Sequence, residues 1–364
     1  MHTLELKKDK IYNQLKQAII SAKIPAGKKL PRETDFAKSL NVGRITLRSS
    51  LDRLEHEGYI KRVHGKGTFV SPENNKFVRA PAIMVIRGNG GGFEAPHNYI
   101  VPEVIRLAES KNCKTLSITD SALLMFSSAD IKNYVKENNV IGIIASMNGF
   151  NGDEPVIKKL RNAGVPVVIA HCALKDTEVT GFPGIAINEQ EGWEAAIAYL
   201  TECGHKNISM LGYGGHKFRG FNKNECLELL KKYNANPVES LLKVVEFDKE
   251  YIRNTVKEMF DCDEKPTAIL CYSDFSAIYV YEALKEMNLR IPEDVAVMGT
   301  CGYPDAKLLT PPLSTVDYEY SKFADMAVEM LQEPGKWFAD DKAKLRKKSF
   351  KIRKRKSTNI KLIK

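Results

Sequence analysis

The stretch "RITLRSSLDRLEHEGYIKRVHGKGTFV", residues 44–70, changes its hydrophobic period partway along. Leu47, Leu51 and Leu54 recur at helical spacing, which puts them on one face of a helix. After Gly58 the pattern becomes "YIKRVH", then "GKG", then "TFV": two short strands around a tight turn. The residues before this stretch explain why a helix with Arg44 at its start should meet a basic hairpin. Ile11, Leu15 and Ile19 share one face of a first helix, and "IPAGKKLP" breaks it with Pro25, Gly27 and Pro31 and reads as a loop. A short second helix turns Phe36, Ala37 and Leu40 inward. "NVG" (41–43) leaves room only for a tight turn into a third helix over residues 44–57. Two helices joined by such a turn form a helix-turn-helix. Its second helix presents its N-terminal end, here Arg44, Thr46 and Arg48, to the floor of a DNA major groove. The hairpin, with strands near 59–64 and 68–70, then becomes a wing gripping beside that helix. Gly65 and Gly67 permit the positive φ of a tight turn, with His64 and Lys66 at its tip.

These residues resemble the winged helix of the gluconate-repressor (GntR) family over essentially all of residues 8–70. The Leu-Pro before the second helix and the closing Gly-x-Gly-Thr-Phe-Val are included. The resemblance implies DNA contacts from Arg44, Thr46 and Arg48 on the recognition helix and from His64 and Gly65 in the wing. The family usually carries Ser and Arg around the Glu of the second helix. Here Arg32 precedes Glu33 and Thr34 follows it, so Arg32 becomes the candidate for the phosphate contact.

Charge divides the chain in the same way. Residues 1–70 carry fifteen Lys or Arg against seven Asp or Glu, and residues 342–364 carry twelve against none. Residues 71–341 carry 28 against 38, so an acidic body lies between a basic head and a basic tail. That asymmetry points to a polyanion met by one part of the chain; lysines merely solvating a small domain is the plainer alternative. No run approaches the ~18 apolar residues of a membrane span. "MHTLELKKDK" lacks the apolar core of a signal peptide. Seven scattered cysteines show no CxxC and no metal-ligand spacing. A cytoplasmic protein without metal or cofactor, and with reduced thiols, is expected.

"SPENNK" (71–76) reads as a polar linker, which gives a head over 1–71, a linker over 72–79 and a body over 80–364. In the body, Val- and Ile-rich runs ("APAIMVI", "KTLSIT", "VIGIIAS", "VPVVIAH", "GIAIN", "NISMLGY", "TAILCYS", "VAVMGT") alternate with amphipathic segments such as "VPEVIRLAESKN", "EGWEAAIAYLTECG" and "FSAIYVYEALKEMN". That alternation predicts an α/β body with parallel sheets covered on both faces. The strands are too many for one compact sheet, so two lobes are expected.

"NNVIGIIAS", "RNAGVPVVIAH", "NEQEGWEAAIAYLTECGHKNISMLGY", "KPTAILCYSDFSAIYVYEALKEMNLRIPEDVAVMGT", "PPLSTV" and "KIRKRKST" follow the order of the lactose-repressor family over nearly all of 80–358. The resemblance implies a periplasmic-binding-protein-like fold. Its two doubly wound lobes would be joined by three crossing strands, near Asn188, near Pro311–Asp317 and near 337–345. An effector would sit in the cleft between lobes. "FKIRKRKST" becomes a late strand of the second lobe with Phe350 and Ile352 inward and its charges solvated; a second DNA-binding arm is the alternative.

Position by position, the resemblance gives His171, Asn188, Lys217, Arg219, Ser273, Asp274 and Cys301 as effector contacts. His171 and Cys301 stand where Asp is common, and Asn188 also replaces an Asp. Lys217, Arg219 and His171 favour an anionic ligand such as a sugar acid or phosphate. Arg219 could equally face away, and Asp274, opening a helix in "DFSA", could equally be a helix cap. "RGNGGGFEAPHNYI" (87–100) fits neither Walker nor dinucleotide spacing. It reads as a cleft loop offering Phe93, His97 and Asn98. No GxSxG or HExxH is present. An enzyme or a transport receptor on the same two-lobed fold is the rival to the expected ligand-responsive, homodimeric DNA-binding regulator.

Overall fold

The computed structural model describes residues 7–20, 23–71, 80–88, 95–214, 222–338 and 345–358. The chain divides into two units, Met1–Pro81 and Ala82–Lys364; residues 72–79, the expected linker, lie outside the described residues.

The head contains three helices, α1 (Lys7–Ile20), α2 (Glu33–Ser39) and α3 (Arg44–His56), and an antiparallel hairpin of β1 (Ile60–Val63) and β2 (Gly67–Val70). Ile11, Leu15 and Ile19 meet Phe36, Ala37, Leu47, Leu51 and Leu54 in one buried cluster closed by Ile60 and Val70. The spacing of these apolar positions therefore fixes the three-helix packing. "IPAGKKLP" is more than a loop. Leu30 N–H donates to the Thr68 carbonyl (2.8 Å) and Val70 N–H to the Lys28 carbonyl (2.9 Å). Its backbone thus pairs with β2 and adds a third strand segment to the wing.

In the body, the first sheet runs in the order β13 (Leu345–Lys347), β7 (Gly184–Ala186), β6 (Val167–Cys172), β5 (Val140–Ser146), β3 (Ala82–Arg87), β4 (Lys114–Thr119), all parallel. The second runs β14 (Lys351–Arg353), β12 (Ser314–Asp317), β11 (Ala296–Cys301), β10 (Ala268–Cys271), β8 (Ile208–Tyr213), β9 (Leu242–Val245), parallel except for β14. The two parallel sheets match the expected two-lobed architecture. The short β9, "LKVV", has too few apolar residues to stand out in the sequence.

Three crossings join the lobes. The first passes through Ile187 and Asn188 into α9 (Glu189–Glu202), which packs on the second sheet. The second leaves β12 through residues 318–320 and enters α13 (Ser321–Gln332), which packs back on β6 and on α4 (His97–Ser110) of the first lobe. It therefore follows 311–317 rather than occupying it. The third joins β13 to β14 through residues 348–350, not 337–345, because Leu345–Lys347 is already a strand of the first sheet.

Phe350 and Ile352 pack against the core as expected. The tail charges, however, are paired as well as solvated. Glu319 on the second crossing accepts from Lys348 on the third (2.9 Å) and from Lys351 (2.7 Å), while Asp317 accepts from Arg353 (2.8 Å). These lysines hold the Glu319 carboxyl down at about 2. No described helix is long and apolar enough to cross a membrane.

Candidate nucleic-acid interface and effector cleft

Recognition in the head starts at the N-terminus of α3. Gly43 caps it without a side chain, and the next turn exposes Arg44 and Arg48 while Leu47 and Ser50 turn inward. Thr46 is half-buried, and its carbonyl accepts from the Ser50 hydroxyl (3.1 Å). Arg32 is exposed immediately before α2. His64, Gly65 and Lys66 form the exposed tip of the wing, with Gly65 at φ +70° and Gly67 at +111°. Both are left-handed values that glycine adopts at little cost.

No periodic pattern signals what holds these parts together. The Arg62 guanidinium on β1 reaches Asp52 (2.5 Å) and Glu55 (2.9 Å) on α3 and Glu33 on α2 (3.5 Å). Glu33 in turn lies 3.9 Å from Arg44. One arginine thus fixes the wing against both helices. Lys29 crosses the wing on the paired segment: a Cβ on Gly67 would meet its Cε at 2.8 Å. Lys29 therefore belongs to the basic surface of the wing, although its stretch read as a loop.

Where the two lobes of the body meet, strand ends and crossings come together. His171 is the extra residue of a β-bulge in β6, between Ala170 and Cys172, and stands at φ +66°. Bulges re-aim side chains. Here the buried imidazole meets Tyr320 and Phe323 edge-on, at 5.3 and 5.7 Å between ring centroids, with Nδ1 3.2 Å from the Asn148 amide. Asp176 positions both loops by accepting from Gly149 N–H (3.0 Å), Phe150 N–H (3.0 Å) and Ala173 N–H (2.7 Å).

Across the cleft, Cys301 ends β11 at φ +102°. Burial pushes its thiol up to about 12, and its side chain contacts the Tyr303 and Tyr320 hydroxyls. Tyr303 from the second lobe stacks on Tyr99 of α4 in the first, centroids 4.4 Å apart, and leans on Phe275 and Tyr320. Two non-glycine residues in left-handed backbone, one per lobe, thus face a shared aromatic cluster. Strain of that kind costs about 1–3 kcal/mol per residue and concentrates at functional sites.

Ser273 and Asp274 are placed elsewhere. Ser273, not Asp274, caps α12 (Asp274–Glu286), in a reciprocal pair with Ser276. Asp274 is the first helical residue and is buried inside the second lobe. It accepts from Tyr303 N–H (2.6 Å) and from the Thr315 hydroxyl (2.6 Å). Gly299 leaves the space it needs, since a Cβ there would lie 2.1 Å from Asp274 Oδ1. Both side chains are therefore buried and tied within the second lobe.

Asn188 lies at the first crossing and donates to Glu191 (2.8 Å). Asn98 is exposed on the first turn of α4. His97 opens that helix rather than extending a loop. It is buried, and burial, aided by Arg87, pushes its imidazole below the usual value. Phe93, Lys217 and Arg219 lie outside the described residues.

Comparison with known proteins agrees with both halves. Residues 7–70 match the model of bacterial regulatory proteins of the gntR family, and residues 197–358 that of the periplasmic binding protein-like domain. The chain is 26% identical over 349 residues to an arabinose metabolism transcriptional repressor of Geobacillus stearothermophilus, covering 88% of this chain and 90% of that protein. It is 28% identical over 206 residues to a probable HTH-type transcriptional repressor, ExuR, of Bacillus subtilis (strain 168), covering 56% and 60%. A regulatory protein of the LacI family from Chloroflexus aggregans has the same fold, with TM-score 0.60 and 21% identity over 75% of this chain and 98% of that one. Residues 7–70 thus match a gntR-family regulatory domain and the body has a periplasmic-binding-protein-like fold, the make-up of a ligand-responsive transcriptional regulator.

Proposed function

We propose that the chain is a cytoplasmic repressor that holds a roughly palindromic operator as a homodimer and releases it when a carbohydrate or sugar-acid effector enters the cleft. The arabinose repressor and ExuR relatives support that effector class. The observation that carries the cleft assignment is the strained pair His171 and Cys301 facing the aromatic cluster of Tyr99, Tyr303 and Tyr320. Aromatic faces suit the apolar faces of sugar rings, while Asn148, His171 and Asn188 offer polar partners. Lys217 and Arg219 would supply the positive charge that favours a sugar acid. On the DNA side, Arg48 is assigned to a base edge. Arg32 and Lys66 are assigned to phosphates, and Arg44, Thr46, His64 and Gly65 to the remaining groove and backbone contacts. Two-fold symmetry then calls for inverted half-sites whole helical turns apart, about 34–36 Å each.

The test is a pair of substitutions read by equilibrium binding to a selected operator and to random duplex. Arg48→Ala should weaken operator binding by roughly 1–3 kcal/mol and hardly change random binding. Lys66→Ala should weaken both alike. Equal losses for the two variants on every sequence would refute the assignment of roles.

A further inference from the structure

Ile45 is 87% exposed, the most exposed large apolar side chain among the described residues of the head. It occupies the second position of α3, between Arg44 and the half-buried Thr46. A β-branched residue gains nothing there for the helix, since its χ1 freedom is reduced. It adds nothing to the core either, which Leu47, Leu51 and Leu54 complete from the opposite face. Residues three and four apart on a helix are neighbours, so Ile45 shares its exposed face with Arg48 and Ser49, both also exposed. The apolar side chain therefore stands beside a guanidinium able to bridge two acceptors on a guanine.

On the floor of the major groove the one apolar group is the 5-methyl of thymine, and alkyl side chains recognise it by contact. Building on the DNA-binding reading above, we infer that Ile45 is a specificity-determining residue that reads a thymine methyl next to the base pair read by Arg48. Three residues of helix rise about 4.5 Å, little more than one base-pair step. The thymine lies within two base pairs of the Arg48-dependent position.

The experiment uses the full chain and a duplex that the chain itself selects from a random library. Each thymine of that duplex is then replaced by uracil together with its symmetry-related thymine in the other half-site, which removes both methyls and leaves the hydrogen-bonding edges unchanged. One such symmetric pair of uracils is expected to lower affinity about fifteen-fold, the factor expected for losing two buried methyl contacts, one in each half-site. Ile45→Ala should lower it by a similar factor on the thymine duplex and have no further effect on the uracil duplex, while Ile45→Val keeps most of the discrimination. An unchanged thermal midpoint for Ile45→Ala, expected from its exposure, shows that the loss is not one of folding. A selected operator whose affinity is the same with uracil at every position would overturn the inference and leave the DNA-binding reading standing. Failure to select any duplex over random sequence would overturn both.

Discussion

Asp274→Ala is expected to destabilise the body by about 3–5 kcal/mol. Removal of the carboxylate strands the Tyr303 N–H and the Thr315 hydroxyl in a dry interior, and each buried group left unsatisfied costs about 1–3 kcal/mol. In a thermal melt of the full chain the loss should appear as a drop of roughly 6–15 °C. Asp274→Asn, which keeps one acceptor, should lose less. The same residue gives a pH dependence. Burial pushes the Asp274 carboxyl up to about 7, against the pull of its donors. A carboxyl whose folded value lies above its unfolded one stabilises the fold fully below the unfolded value, near 4. That contribution is lost as pH rises through about 7. The wild-type midpoint should therefore fall between about pH 4 and 7 relative to that of Asp274→Asn. A difference between the two that stays flat with pH would show that the carboxyl keeps its ordinary value in the fold.

The second large effect is on DNA. Two heads that each neutralise about three to five phosphates should lose roughly 10³–10⁵ in affinity between about 50 and 200 mM salt. The exposed Arg32, Arg44, Arg48 and Lys66, with Lys29 across the wing, supply those cations. Fluorescence anisotropy over a salt series gives the slope directly. A slope near zero would mean that this surface does not meet phosphate, whatever the fold of the head.

How far these features could be read from the sequence depended on the range of the interaction. The winged helix was legible because each signal is local: three leucines at helical spacing, a three-residue turn, and "GKG" between two strands. The two lobes were legible because buried parallel strands form continuous apolar runs, and β9 escaped because "LKVV" is only four residues long and is interrupted by Lys243. The first crossing lay where it was expected, but the second and third were displaced by a few residues, since α13 follows a second-lobe strand in sequence but packs on the first lobe. Nothing periodic announces such a return. Pairings between distant residues left no trace at all. Arg62 meets Glu33 across 29 positions and Glu319 meets Lys348 across 29, and each charge taken alone looks like a solvated surface group. The resemblance to the lactose-repressor family implied His171 as an effector contact, but the bulge that turns it was not visible, because the continuous apolar run "VPVVIAH" carries no break in its pattern. Ser273 and Asp274 illustrate the converse. Both sit at a strand end, where effector contacts are common, and their capping and burial inside the second lobe left no separate mark in the sequence.

One ligand in the cleft and DNA at the heads should share a single coupled equilibrium. The most direct measurement begins with a thermal-shift screen of the full chain against neutral sugars, sugar acids and sugar phosphates. Operator affinity is then titrated with and without the compound that stabilises it most. Reciprocity requires the compound to weaken operator binding by the same factor as operator weakens binding of the compound, commonly about 5–150-fold. The account predicts that factor in both directions, and its loss in His171→Ala with operator affinity itself unchanged. A compound that binds the body and is displaced by His171→Ala, yet leaves operator affinity unaltered, would contradict it.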